Sequence, residues 1–121
     1  MKTVLINHTS PFSQPIEVVI CSTFFSKLRG LMFQKNIAPF SGILLLEKQD
    51  SVIDSAIHML FMNFDICAVW ANKSGQVVDK QLARRWHILY KPQKPACMTL
   101  ELHPRHMKDF NIGDNLSYEN I

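Results

Sequence analysis

The stretch SAIHMLFMNFDICAVW, residues 55–70, is almost continuously apolar, and its reading decides the fold. It is too long for one average strand and carries no helix caps. From Asn63 onward it alternates. Phe64, Ile66, Ala68 and Trp70 fall on one side of an extended chain, and Asn63, Asp65, Cys67 and Val69 on the other. A strand over residues 63–71 with so much apolar surface must be covered on both faces. The first half is expected to form a short extended segment around Ile57 and His58.

Working outward, ANKSGQ (71–76) supplies a hairpin turn with a glycine near its end, and QVVDKQL (76–82) returns as the partner strand. Upstream, KTVLI (2–6), IEVVIC (16–21) and GILLLE (42–47) read as strands separated by Asn-, Ser- and Pro-rich loops. Downstream, ACMTLELH (96–103) alternates, with Met98, Leu100 and Leu102 inward and Thr99, Glu101 and His103 opposite. Phe110 and Ile112 read as anchors, and Leu116 and Tyr118 mark a last short strand.

One helix interrupts this pattern. Ser22 or Thr23 can cap it, because a hydroxyl accepts a bond from the free amides of a first helical turn. Phe24, Phe25, Leu28, Leu31 and Met32 share one helical face, Gly30 ends the helix, and Leu31, Met32 and Phe33 are expected to close the core. Together these elements predict a mainly β single domain over residues 1–121, α+β by content. The expected architecture is an antiparallel β-sandwich or partly open barrel of seven or eight short strands, with one short helix near residues 22–30.

Composition agrees with a globular chain: 121 residues, 47% hydrophobic and 19% charged, enough for one core without a metal or disulfide. Cys21, Cys67 and Cys97 are widely spaced and odd in number, which suggests neither a disulfide framework nor a zinc knuckle. The N-terminal apolar run is too short for a signal peptide, and no segment approaches a membrane span. A soluble cytoplasmic protein without a membrane partner is the expectation. The net charge of +3 is small. Its local concentration in KQLARRWHILYKPQK (80–94), where Lys80, Arg84, Arg85, Lys91 and Lys94 interleave with Trp86 and Tyr90, could serve phosphates and bases. Without an accompanying nucleic-acid module, a solvated loop or edge strand is the preferred reading.

LRGLMF, SGILLL, IHMLFMNFDICAVWANKSGQVVD, TLEL and IGDNL, taken in order, resemble the Domain of Unknown Function 192 family over nearly the whole chain. The resemblance implies a compact, mostly β fold with one helix and implies no reaction. It also exposes departures. Where relatives carry Pro-x-Asp this chain has Asp65-Ile66-Cys67, so an acid at position 67 is lost or moved to Asp65. His103-Pro104-Arg105 replaces the Pro-Ala-Gly of the family, and His87 replaces the arginine after Trp86.

No nucleophile elbow, phosphate-cradling glycine loop or His-Glu-x-x-His motif is present, so no catalytic residue, cofactor or metal is assigned. His58, His87, His103 and His106 would form a metal site only if three ligands converged, and Pro104 works against a helical alignment of the last pair. Cys67 shares a strand face with Asp65, but a thiol in an apolar strand is ordinarily inert. Arg29 and Glu101 each sit in apolar surroundings, where a charge must be paired or face water. They either satisfy one another or nearby backbone carbonyls, or, with His58, Asp65 and Trp86, line an opening where arginine holds an anion and tryptophan stacks. The leading expectation is a non-catalytic module that binds a small anionic ligand or a protein partner. The alternative is an enzyme acting on an anionic or carbohydrate-like substrate, with Asp65 and Glu101 as acid and base.

Overall fold

Every residue of the strand Ile66–Ala71 is at most 1% exposed, so this segment is covered on both faces. The computed structural model describes residues 3–121, apart from the Phe24 side chain. Lys2, at the start of the expected first strand, lies outside them. In chain order the strands are β1 (Thr3–Asn7), β2 (Ile16–Cys21), β3 (Ser41–Ser51), β4 (Ile66–Ala71), β5 (Val77–Ala83), β6 (Ala96–Leu102) and β7 (Leu116–Asn120). They form one sheet in the order β5-β4-β6-β3-β2-β1-β7.

The alternation along β4 separates two cores. Cys67, Val69 and Ala71 pack with Leu5, Val18, Leu44, Val77, Leu100 and Leu116, a set to which all seven strands contribute. The sheet therefore curls around this cluster. It does not close into a barrel, but its edges touch at one corner, where Gln76 and Asn115 form a bridge and the Leu116 amide donates to the Gly75 carbonyl at 2.7 Å. Ile66, Ala68 and Trp70 face the other way, into a core completed by Ile43 and by Ile57, Met59 and Met62 of the long β3–β4 connection.

Three features differ from the sequence reading. The sheet is mixed, because β2 and β3 run parallel while the other pairs are antiparallel. The intervening helix carries the chain back to the end of the sheet where β2 began, which is the crossover a parallel pair requires. Residues 63–65 precede β4 rather than belonging to it. A 3-10 helix, Pro104–Asp109, follows β6 with Pro104 in its first turn, where a missing amide costs nothing. That helix buries His106, whose Nδ1 lies 2.8 Å from Asp109 and whose Nε2 lies 2.5 Å from the Pro39 carbonyl. Phe110 is buried beside it, whereas Ile112 is exposed.

The expected helix is α1, Phe24–Arg29. Thr23 Oγ1 accepts from the Ser26 amide and Ser26 Oγ from the Thr23 amide, both at 3.1 Å, a reciprocal cap. Gly30 ends it at φ +46°, donating to the Ser26 carbonyl. The helical periodicity then stops predicting burial. Met32 and Gln34 donate into successive turns, so beyond Gly30 only Leu31 enters the core, while Phe33 is 67% exposed. Phe25 and Leu28 are exposed as well. A helix of under two turns covers little of the sheet, and the β3–β4 connection does the rest.

Trp70 ties that connection down. Its Nε1–H donates to the Ser55 carbonyl at 2.8 Å, and Thr99 Oγ1–H donates to the same oxygen at 3.1 Å. Trp70→Phe keeps an aromatic ring but removes one donor and part of the ring volume, which opens a gap, so a loss of about 2 kcal/mol is expected. Urea denaturation checks it. A variant with an unchanged midpoint would show that Thr99 alone holds the segment.

Candidate functional site

Three connections meet over the second core: the turn after α1 (residues 30–36), the end of the β3–β4 connection (57–65) and the segment after β5 (84–90). Backbone hydrogen bonds lace them. Phe33 donates to Phe61, Trp86 to Met59 and Met59 to His87, each at 2.8–3.0 Å. From each connection one aromatic residue points outward. Phe33 and Phe61 stack with centroids 5.2 Å apart, and Phe61 meets Trp86 edge-on at 5.4 Å.

These three are also the only non-glycine residues at positive φ among the described residues: Phe33 at 66°, Phe61 at 61° and Trp86 at 67°. A side chain in this region crowds its own backbone, at a cost of roughly 1–2 kcal/mol each. The strain is held by neighbours. Along residues 84–87, the Arg84 amide donates to Tyr90 Oη, the Arg85 amide to Asp65 Oδ1, the Trp86 amide to Met59 and the His87 amide to Arg84. Each amide is satisfied, so the segment is set in shape before any ligand arrives.

Asp65 is the organiser of the polar side. Besides the Arg85 amide at 2.9 Å, its Oδ1 lies 3.8 Å from Arg85 Nε. Arg85 Nη1 reaches the Asn63 carbonyl at 3.4 Å. Two shallow depressions flank this pair, about 280 Å³ against Ile37, Phe64 and His103, and about 390 Å³ against Arg84 and His87. Asp65 and Trp86, both singled out in the sequence, are thus brought together through Arg85.

The other candidates are placed elsewhere. His58 Nδ1 accepts from the Leu60 amide, which leaves Nε2 as the donor to the Leu28 carbonyl at 3.2 Å. Nε2 thus staples α1 to the connection, while Nδ1 braces the connection itself. Arg29 is exposed on the last turn of α1. Glu101 is only 5% exposed, and no hydrogen bond or ion pair among the described residues reaches its carboxyl. It lies under Gly30, where a Cβ would sit 3.4 Å from Oε1, and burial pushes its carboxyl up to about 7. The face opposite Leu100 and Leu102 is therefore a second core rather than a solvated surface. Glu101 lines neither depression beside Asp65.

Thiol chemistry finds no support in the cysteines' surroundings. Burial pushes Cys67 up to about 12, and burial with the Asp50 carboxylate pushes Cys97 up to about 11. Burial and then the charge of Glu101 raise Cys21. Lys80, within the basic stretch, has a structural task on edge strand β5, since its ammonium donates to the Met107 and Phe110 carbonyls at 2.6 and 2.8 Å. Those carbonyls end the 3-10 helix, where a cation is favoured.

Phe33 and Phe61 are the site residues that sequence reasoning passed over, and Arg85 entered it only as part of the basic stretch. Phe61 was hidden inside an apolar run, and no local signal announces a positive φ at a phenylalanine.

The fold and site define a small mixed β-sheet domain whose outer face is roofed by connections that present a fixed aromatic row beside cations. The chain belongs to the DUF192 family, described as Uncharacterized ACR, whose pattern matches residues 4–118. It is 33% identical over 98 residues to the UPF0127 protein of Thermococcus kodakarensis, covering 81% of this chain and 60% of that one. The chain thus spans less than two thirds of that relative's length. Two crystal structures share the fold at a TM-score of 0.82, each covering 97% of this chain. One is a candidate transcription regulator from Sinorhizobium meliloti, 17% identical over 92% of its length. The other is a protein of unknown function from Novosphingobium aromaticivorans, 14% identical over 84% of its length. At such identities the likeness speaks to fold alone. Among the described residues, no helix is long and apolar enough to cross a membrane.

Proposed function

We propose that the protein is a binding module whose site is the row Phe33, Phe61 and Trp86, and that its ligand is anionic and has a flat or apolar face. One observation carries this reading: among the described residues, positive-φ strain outside glycine is confined to three exposed aromatic residues that touch in a row. Strain of this kind persists only where surrounding structure enforces it, and it gathers at functional sites. Here it holds outward three rings that the core would otherwise bury. Arg84 and Arg85 stand beside the row, and guanidinium groups are suited to carboxylates, sulfonates and phosphates.

Tryptophan emission tests it, because Trp86 is 54% exposed while Trp70 is fully buried. Anilinonaphthalene sulfonate, a flat aromatic anion, is expected to bind the native protein, quench Trp86 and raise the melting temperature. Trp86→Ala together with Arg85→Gln should weaken that binding about tenfold or more. Binding of equal strength in the double variant would place the site elsewhere.

A further inference from the structure

The roof carries more apolar surface than a stacked anion can use. Besides Phe33, Phe61 and Trp86, it exposes Leu28 at 49%, Ile88 at 76% and Leu89 at 58%. Ile88 and Leu89 follow Trp86 on the same segment, and Leu28 is joined to the roof by His58. Aliphatic side chains gain nothing from a soluble anion or from base stacking. They gain from a partner that removes them from water.

The charges around them are one-sided. Residues 24–36, 57–65 and 84–90 contain five cations, Lys27, Arg29, Lys35, Arg84 and Arg85, against one carboxylate, Asp65. Asp65 is engaged by Arg85, and Lys27 pairs with Glu47 at 2.8 Å. Among the described residues of these segments, the cations left without an ion pair are Arg29, Lys35 and Arg84. Apolar loop tips on segments that also carry exposed cations have the complementarity of a bilayer surface, in which phosphates lie at the level of the cations and acyl chains below. Tryptophan at the rim of such a set suits the headgroup boundary.

We infer that this roof docks on a lipid bilayer carrying anionic headgroups, with Phe33, Phe61, Trp86, Ile88 and Leu89 entering the interface and Arg84 and Lys35 meeting headgroup phosphates. This rests on the reading of the aromatic row as a binding surface, and it assigns that surface its partner. The rigid lacing of the three connections has a physical purpose here, since tips held in position need no ordering on contact.

The test uses the full chain with two kinds of vesicle, phosphatidylcholine alone and an equimolar mixture with phosphatidylglycerol. Cosedimentation about tenfold or more stronger on the mixed vesicles is expected, because several cations each add attraction to an anionic surface. Trp86 emission should shift to the blue on binding, with buried Trp70 silent. Ile88→Ser with Leu89→Ser should abolish vesicle binding while leaving anilinonaphthalene sulfonate bound, which separates the bilayer from a soluble anion. Failure to sediment with mixed vesicles, with the sulfonate still bound at Trp86, would overturn the lipid assignment and leave the binding reading standing. Failure of both would remove both. Equal binding to the two vesicle types would also overturn it, by showing that anionic headgroups play no part.

Discussion

Between pH 4.5 and about 7 the protein is expected to lose stability as the pH rises, and Glu101→Gln is expected to remove that dependence. Burial raises the Glu101 carboxyl from 4.5 to about 7, so the folded state keeps a proton that the unfolded chain releases. The stabilisation is complete below 4.5, declines as the pH climbs and is gone above about 7. At about 1.4 kcal/mol per pH unit, the loss amounts to roughly 3 kcal/mol, a large share of the stability of a small domain. Glutamine keeps the shape without the ionisation, so the variant should be the more stable protein above neutral pH, less whatever its unpaired amide costs.

The same measurement decides what Glu101 does. An ion pair with Arg29, one of the arrangements the sequence left open, would depress the carboxyl, so its pH dependence would fall below 4.5 and the profile above would be flat. Glu101→Gln would then destabilise at neutral pH rather than stabilise. Urea midpoints for both proteins, taken from pH 4.5 to above 7, distinguish the cases by sign alone. Parallel profiles for the two proteins would mean that the Glu101 carboxyl is not raised in the folded state above its value in the unfolded chain.

The strands were legible because alternation is a local property. Cys67 and Val69 on one face of β4 and Ile66 and Ala68 on the other are separated by the pleat itself, whatever else the chain does. The hairpin after β4 was equally local, built on Asn72 Oδ1, which accepts from the amides of Ser74 and Gln76. The parallel pairing of β2 with β3 was not local, since it depends on where a 19-residue connection, Ser22–Phe40, delivers the chain.

The site was half legible for the same reason. Asp65 and Trp86 stood out as a carboxylate and an aromatic in unusual company. Phe33 looked like core because a phenylalanine after Leu31 and Met32 continues an apolar run. Its exposure follows from a backbone angle enforced by the Phe61 carbonyl, which lies 28 residues away in the sequence. Glu101 showed the converse: strand alternation assigned it correctly to the face opposite Leu100, but nothing in β6 shows that a second roof covers that face.

Gly75→Ala and Gly113→Ala are expected to differ sharply, although both glycines have positive φ, +82° and +96°. Each substitution incurs the conformational cost of a side chain in that region, roughly 1 kcal/mol or somewhat more. At Gly113 a Cβ meets nothing within 4 Å, so the cost should end there. At Gly75 it would collide with the Leu116 carbonyl oxygen, a backbone atom with no rotamer to yield. Relief would require β7 to move away from the start of β5. That motion breaks the 2.7 Å bond from the Leu116 amide to the Gly75 carbonyl and loosens the Val77 amide's 2.8 Å bond to Asp114. The loss at Gly75 should therefore reach about 3 kcal/mol or more, the range of severe backbone substitutions. Since Leu116 belongs to the core enclosed by the curled sheet, opening this corner also admits water to that core. Hydrogen exchange at the β7 amides should rise in Gly75→Ala and stay near the native rate in Gly113→Ala. Equal destabilisation of the two variants would mean that the corner contact contributes little, and that the sheet's curl is held by its core alone.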